Sequence, residues 1–512
     1  MKIKTSIIKS LFMILILALV AVQPASANKK DDTMVIAFVR EILNLDYMQT
    51  TKREYIMLSD LLDETLFHVD SKTFEIKPNL ALSYNYADDK TIDVTLRQDA
   101  VFHDGSKMTA DDVYYTYQYV IEDKANKPHK TTVRWLESVE KTGPFSVRFN
   151  LKTKYPLALR DMARRIRIRQ NGIYGTTGNY DKNTQTTTLN GLGPYKVKSF
   201  DPGKEVLLER FDKYYEGPKG RPVISKIKIR SIPDLGTQQA ELMTGNIDWM
   251  YNVPMDIARN MGKTGRAVHL EGPSMRVGFI PLDAGGVSGK DNPLTKVNVR
   301  RAIIHAIDRE NIVKNLVGGT SEVIHSGCHP IQFGCTTDVR RYEYNPDKAR
   351  ELITAAGYPD GFNLDLWAYR EKQVSEAIAS DLTKAGIKVN LRYSKLSALN
   401  KARRAREIPA YFGTWASGGT ADVAAIANVH WSVDSDRNLS GDPKVTELML
   451  GAENTNDPNE RKELYRKGLQ YIAEQAYWAP LYAFTANYLT SKDLNFPIPV
   501  DGLPRLYKTS WK

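Results

Sequence analysis

Apolar and polar residues alternate along residues 91–97 (TIDVTLR), where Ile92, Val94 and Leu96 fall on one side. A period of two predicts a half-buried strand. The pattern then changes in HDGSKMTADDVYYTYQYV. Asp104-Gly105 supplies turn chemistry, and Thr109 stands as an N-cap with Asp112 three residues on. Val113, Tyr117 and Val120 share one face of the helix that follows. A second unit begins at Gly361. Phe362, Leu364 and Leu366 alternate, then Val374, Ile378 and Leu382 mark a helix face, and Gly386 is placed to stop it. Ile387, Val389 and Leu391 alternate again, so strand, helix and strand make a βαβ unit with a right-handed crossover expected. Residues 297–319 are predicted as one long amphipathic helix ended by Gly318-Gly319, and residues 461–478 as another after Asp457-Pro458. The class is α/β.

The N-terminus changes the picture by setting a compartment. Lys2, Lys4 and Lys9 precede the apolar run LFMILILALVAV, which leads into Ala25-Ser26-Ala27. A basic start, a short apolar core and an A-x-A site predict a signal peptide over 1–27. The run is shorter than the ~18 residues that a membrane-spanning helix needs. No cysteine follows the cleavage site, so no lipid anchor is expected. The expected product is a soluble exported monomer, free in a Gram-negative periplasm.

The remaining chain is long enough for two or three domains. Charge is interspersed without long like-charge blocks, and the formal net charge of +11 is modest for 512 residues. That balance leaves room for an anionic ligand or an acidic docking partner. Nucleic acid is excluded for an exported chain without a basic-aromatic motif. No G-x-S-x-G or H-E-x-x-H occurs, so a hydrolase is not expected, and no cofactor or metal is assigned.

A set of motifs in collinear order narrows the function. Lys77-Pro-Asn-Leu-Ala81, Val101-Phe-His-Asp-Gly105 and Thr109-Ala-Asp-Asp-Val113 are followed by Gly191-Leu-Gly-Pro-Tyr195 and Tyr214-Tyr-Glu-Gly217. Next come Ile232-Pro-Asp234 with Gly245-Asn-Ile-Asp248, Arg301-Ala-Ile-Ile-His-Ala-Ile-Asp308, and Ala355-Ala-Gly-Tyr-Pro-Asp-Gly-Phe362. Together they resemble the peptide/nickel-type (family 5) extracellular solute-binding proteins of ABC transporters. The resemblance implies a bilobed, type II periplasmic-binding-protein-like clamshell with an additional small domain. One lobe would comprise 28–72, 191–272 and 483–512, the inserted small domain 73–190, and the second lobe 273–482. It further implies a small-molecule or peptide-like ligand enclosed by hinge closure and delivered to inner-membrane permease subunits, with no catalysis. A metal chelate, haem or opine-like compound is the alternative ligand class on the same scaffold.

The resemblance also points to ligand-binding candidates. Trp415, in Gly413-Thr-Trp415, lies where the family presents a G-W segment. Peptide binders of the family carry an aspartate three residues later, which pairs with the peptide's α-amino group. Gly418 stands there in this chain, and Asp422 is the nearest carboxylate. Arg40 follows the first predicted strand, and Tyr47 replaces the proline of an L-D-P segment. Trp249 and Tyr251 follow the Gly245 helix end, Arg276 lies near the lobe crossover, and Arg370 ends the Phe362 strand. An arginine in a cleft can hold a carboxylate through two parallel hydrogen bonds.

Cys328 and Cys335 are the two cysteines of the chain, flanked by His325 and His329. An oxidising compartment favours one disulfide between them. The ligand types would also suit zinc, although their spacing matches no common finger. A redox motif would place two residues between the thiols, and six intervene here.

Overall fold

The computed structural model describes residues 29–50, 52–122, 129–177, 179–180 and 189–512. The expected signal peptide lies outside the described residues. No helix among the described residues is long and apolar enough to cross a membrane.

A nine-stranded mixed sheet forms the frame. Its strands are β1 (Thr33–Phe38), β2 (Tyr195–Asp201), β3 (Glu205–Arg210), β4 (Lys226–Ser231), β5 (Trp249–Tyr251), β6 (Ala267–Pro281), β7 (Glu322–Val323), β8 (Gly413–Trp415) and β9 (Trp478–Ser491). The order is β2-β3-β4-β1-β5-β9-β6-β8, with β7 pairing β9 off the path. β1 runs parallel to β4 and β5, while β6 and β9 are long antiparallel partners. Met34, Ile36, Phe38 and Trp249 lie in one core under the first half of this sheet. Phe279, Trp431, Tyr465 and Trp478 lie in another beyond the crossing. The β6–β9 ladder shifts register between Pro273 and Val277 and again before Phe279. A bulge bends and twists a strand locally, so the ladder's weakest stretch lies where the chain passes between the two cores.

The small domain is built on a four-stranded antiparallel sheet, ordered Ala81–Asp88, Thr91–Leu96, Ser146–Leu151, Leu136–Gly143. The helix Ala110–Ile121 packs on it, and Thr109 and Asp112 form the reciprocal capping box that the sequence suggests. The βαβ unit is also present: Phe362–Ala368 pairs parallel to Ile387–Tyr393, with Lys372–Lys384 between them. Gly191 and Gly193 are set by close approach. A Cβ on either would come within 2.0 or 2.4 Å of the Leu62 or Leu61 carbonyl oxygen.

Two predicted helices are shorter than their patterns. The stretch 297–319 breaks after Ala306, because buried Ile307 turns to φ −92°, ψ 118° and Asp308 caps a new helix through Asn311 N–H. The helix expected to reach residue 478 ends at Glu474. Ala476 takes a positive φ of 51°, and Trp478 starts β9.

A buried charge cluster ties the small domain to the first core. Arg169 is fully buried and pairs with Asp46 at 3.0 Å and with Asp63. The Tyr174 hydroxyl donates to Asp46 at 2.7 Å. Burial opposes the Arg169 charge, but Asp63, Tyr174 and Asp46 outweigh it and hold its pKa well above the usual value. Cys328 and Cys335 form a disulfide, seven residues apart. Within their loop, Gln332 Nε2 donates to Ser417 Oγ at 2.8 Å and to the carbonyls of Thr420 and Asp422. The staple therefore braces the 417–422 segment.

Arg169→Ala leaves two buried carboxylates without a cation and lowers the unfolding free energy by about 3–5 kcal/mol. Denaturant titration reads this, and an unchanged midpoint contradicts it. Replacing both cysteines with serine costs about 2.5 kcal/mol in the loop-entropy account. A thiol assay on denatured, unreduced protein finds no free thiol; two reactive thiols contradict the staple.

Candidate functional site

β8 is the edge of the main sheet, paired to β6 through Val277–Trp415, Gly278–Thr414 and Phe279–Gly413. A Cβ at Gly413 would lie 2.9 Å from the Phe279 and Tyr411 rings, so glycine is what lets the strand lie flat there. The Trp415 indole N–H donates to the Ala425 carbonyl at 2.9 Å, which fixes the ring. Phe279 stacks on Trp478 with centroids 3.8 Å apart. His430 sets its edge against Phe279, Trp415 and Trp478.

Phe279, Gly413, Trp415 and His430 wall a cavity of about 260 Å³, also lined by Arg276, Arg403, Arg437, Tyr369 and Asn400. Its polar demand is unmet. Tyr411 Oη, Asn400 Oδ1 and both ring nitrogens of His430 are buried without a hydrogen-bond partner. Buried polar groups normally find partners, so such a concentration marks a place for a ligand or ordered water. Burial pushes the His430 pKa well below the usual imidazole value, and Arg437 and Arg403 act in the same direction, so the ring is neutral.

Arg276 donates to Thr414 Oγ1 at 2.9 Å. Arg370 stands beside it, bonded to the same hydroxyl at 3.5 Å and paired with Glu371 at 2.9 Å. Arg437 sits over the Trp415 ring, 5.4 Å from its centroid. A second cavity of about 100 Å³ is lined by Tyr47, Arg164, Arg165, Arg167 and Arg505. Gly418 borders both cavities. It has φ +55°, and the Arg164 guanidinium donates to its carbonyl at 3.1 Å. That bond spans from the small domain to the edge of the second core. Leu157 packs into the same core, and Arg134 reaches Asn428 and Glu453. The two sides of the cleft are thus in contact.

Of the residues singled out in the sequence, Trp415 and Arg276 line the larger cavity, Arg370 adjoins it, and Tyr47 lines the smaller one. Four stand elsewhere. Asp422 is fully buried on the far side of its segment. Both its oxygens are taken by Arg461 at 3.0–3.1 Å, and it also accepts from Ala424 N–H. Buried and paired with Arg461, it does not reach either cavity. Trp249 is fully buried, stacked on Tyr251 in the first core. The Tyr251 hydroxyl donates to Glu54 at 2.8 Å, and Arg40 pairs with the same carboxylate at 3.3 Å. None of these borders either cavity.

Sequence inspection missed His430, Arg437, Arg164 and Arg165. For the last two a signal existed: ARRIRIR (163–169) carries four arginines without an acid.

Comparison with known proteins agrees with this architecture. The family model "Bacterial extracellular solute-binding proteins, family 5 Middle" matches residues 75–435, more than half of the chain. The glutathione-binding protein GsiB of Salmonella paratyphi A is 26% identical, with 90% of each chain covered. The oligopeptide-binding protein AppA of Bacillus subtilis is 28% identical over 74% of this chain and 72% of its own. Among solved structures, the ABC transporter substrate-binding protein CtaP of Listeria monocytogenes superposes with a TM-score of 0.83 at 22% identity, covering 94% of this chain and 99% of that one. On the match of the family model over residues 75–435, the chain belongs to the bacterial extracellular solute-binding proteins of family 5.

Proposed function

We propose that the chain is the exported substrate-binding component of an ABC importer. It captures a peptide-like solute in the Trp415 cleft by hinge closure and delivers it to a membrane permease. The carrying observation is the aromatic cavity with unmet polar groups, placed beside the bulged crossing of β6 and β9. A concave, largely aromatic cavity with a few polar groups is the usual form of a small-molecule site. The names of the relatives, glutathione-binding and oligopeptide-binding, support a peptide-like ligand. The hinge bend falls between lobes drawn as 28–72, 191–272 and 483–512 on one side and 273–482 on the other, with 73–190 inserted. A leader over 1–27, removed on export to the periplasm, and a monomeric working form belong to the same proposal.

Protein purified from its own cell envelope releases a bound small molecule in native mass spectrometry. Trp415→Ala weakens that solute's binding by about thirtyfold, since removing a large aromatic anchor costs about 2 kcal/mol. Unchanged affinity in the variant would remove Trp415 from the site. Scattering from the loaded protein shows a more compact particle than the empty one, and superimposable profiles contradict hinge closure.

A further inference from the structure

Charge around the two cavities does not cancel. Arg403 faces Asp436 at 3.2 Å, Arg167 faces Asp60 at 2.6 Å, Lys219 faces Glu64 at 2.8 Å, and Arg505 pairs with Asp501. Arg164, Arg165, Arg276 and Arg437 also line the cavities, yet they make no ion pair among the described residues. Asp60 is the one acidic side chain on either lining, and Arg167 already holds it.

The four unpaired guanidiniums come from separate places. Arg164 and Arg165 close the helix Ala158–Arg164 in the small domain, Arg276 is in β6, and Arg437 lies beyond the helix Ala424–His430. Burial pushes Arg276 down to about 10, and the nearby charges of Arg370 and Arg53 push the same way. Burial also brings Arg164 to about 10, with Asp501 opposing and Arg505 and Arg165 reinforcing the shift. Both remain charged at neutral pH. Unpaired charge in a partly buried site is unfavourable, and a bound anion offsets part of that cost.

Unmet hydrogen-bond capacity includes donors of the matching sense. Arg167 Nε and one ring N–H of neutral His430 are buried without an acceptor, while Asn400 Oδ1 and the second His430 nitrogen remain as acceptors for the ligand's own N–H or O–H groups or for water. Gly418 sharpens the sign. A Cβ there would lie 2.6 Å from Arg165 Nη2, so a guanidinium faces this backbone position.

We propose that the solute carries at least two carboxylates. One binds beside the Trp415 ring between Arg276 and Arg437, and the other binds at Arg164 and Arg165 next to Gly418. The assignment rests on the solute-capture function above and adds its ligand class. Closure brings the small-domain arginines toward those of the second lobe, so the anion is also what makes the closed form favourable. A ligand with a single carboxylate neutralises one pair of guanidiniums and leaves the other pair unneutralised.

Calorimetric titration of the full mature chain, stripped of bound solute, decides this with three probes. Glutathione and citrate carry several carboxylates, and trialanine is a zwitterion of comparable size. Both anionic probes bind at least about tenfold more tightly than trialanine, the gain of one charge-assisted contact. Their affinity falls as salt is raised. Arg276→Met with Arg437→Met lowers anion affinity about ten- to a hundredfold, with a thermal melt to verify folding. Wild-type protein that binds trialanine as tightly as the anions overturns the charge assignment but leaves solute capture standing. Failure of all three probes, together with no co-purified solute, overturns both.

Discussion

The long antiparallel ladder of β6 and β9 is the constraint on which the rest depends. The strands run 15 and 14 residues side by side, and both pass from one core to the other. Two adjacent covalent crossings restrict relative motion to bending about the ladder, and the register shifts at Pro273–Phe279 concentrate that bending. The same strand β6 carries Arg276 and holds β8, so the wall with Trp415 is attached directly to the hinge. In the proposed capture, recognition and closure are therefore coupled through one piece of sheet.

A short basic stretch shows how one local sequence serves two physical ends. In ARRIRIR, Arg169 turns inward to Asp46 and Asp63 and is fully buried with its charge matched. Arg167 is held by Asp60, though its Nε stays unpartnered. Arg164 and Arg165 point to the cavities, where no carboxylate answers them. The matched charge fixes the small domain to the first core, and the unmatched charge faces the smaller cavity. The disulfide loop serves the opposite wall, since Gln332 holds the Ser417–Asp422 segment from behind.

Much of the frame was legible in the residue pattern. The strand at Thr91–Leu96, the Thr109 cap, the βαβ unit and the cysteine pair all rest on local spacing or local chemistry, and all are present. Where tertiary contacts compete with a periodic pattern, the pattern overran. Ile307 leaves the helix for the core, and Trp478 joins β9. The site was partly legible. Trp415, singled out by its family position, and Arg276, singled out by its place near the lobe crossover, line the candidate cavity, whereas Trp249, Tyr251 and Asp422 are absorbed by internal partners that spacing does not reveal. His430 and Arg437 line the candidate cavity only because folding brings the segment 430–437 against Trp415.

The most direct measurement is a crystal structure of the protein carrying the solute it acquires in its own cell. The account predicts ligand density against the Trp415 ring, with acidic groups bonded to Arg276 or Arg437 on one side and to Arg164 or Arg165 on the other. A ligand seated elsewhere, or one presenting an ammonium group to Gly418, would contradict it.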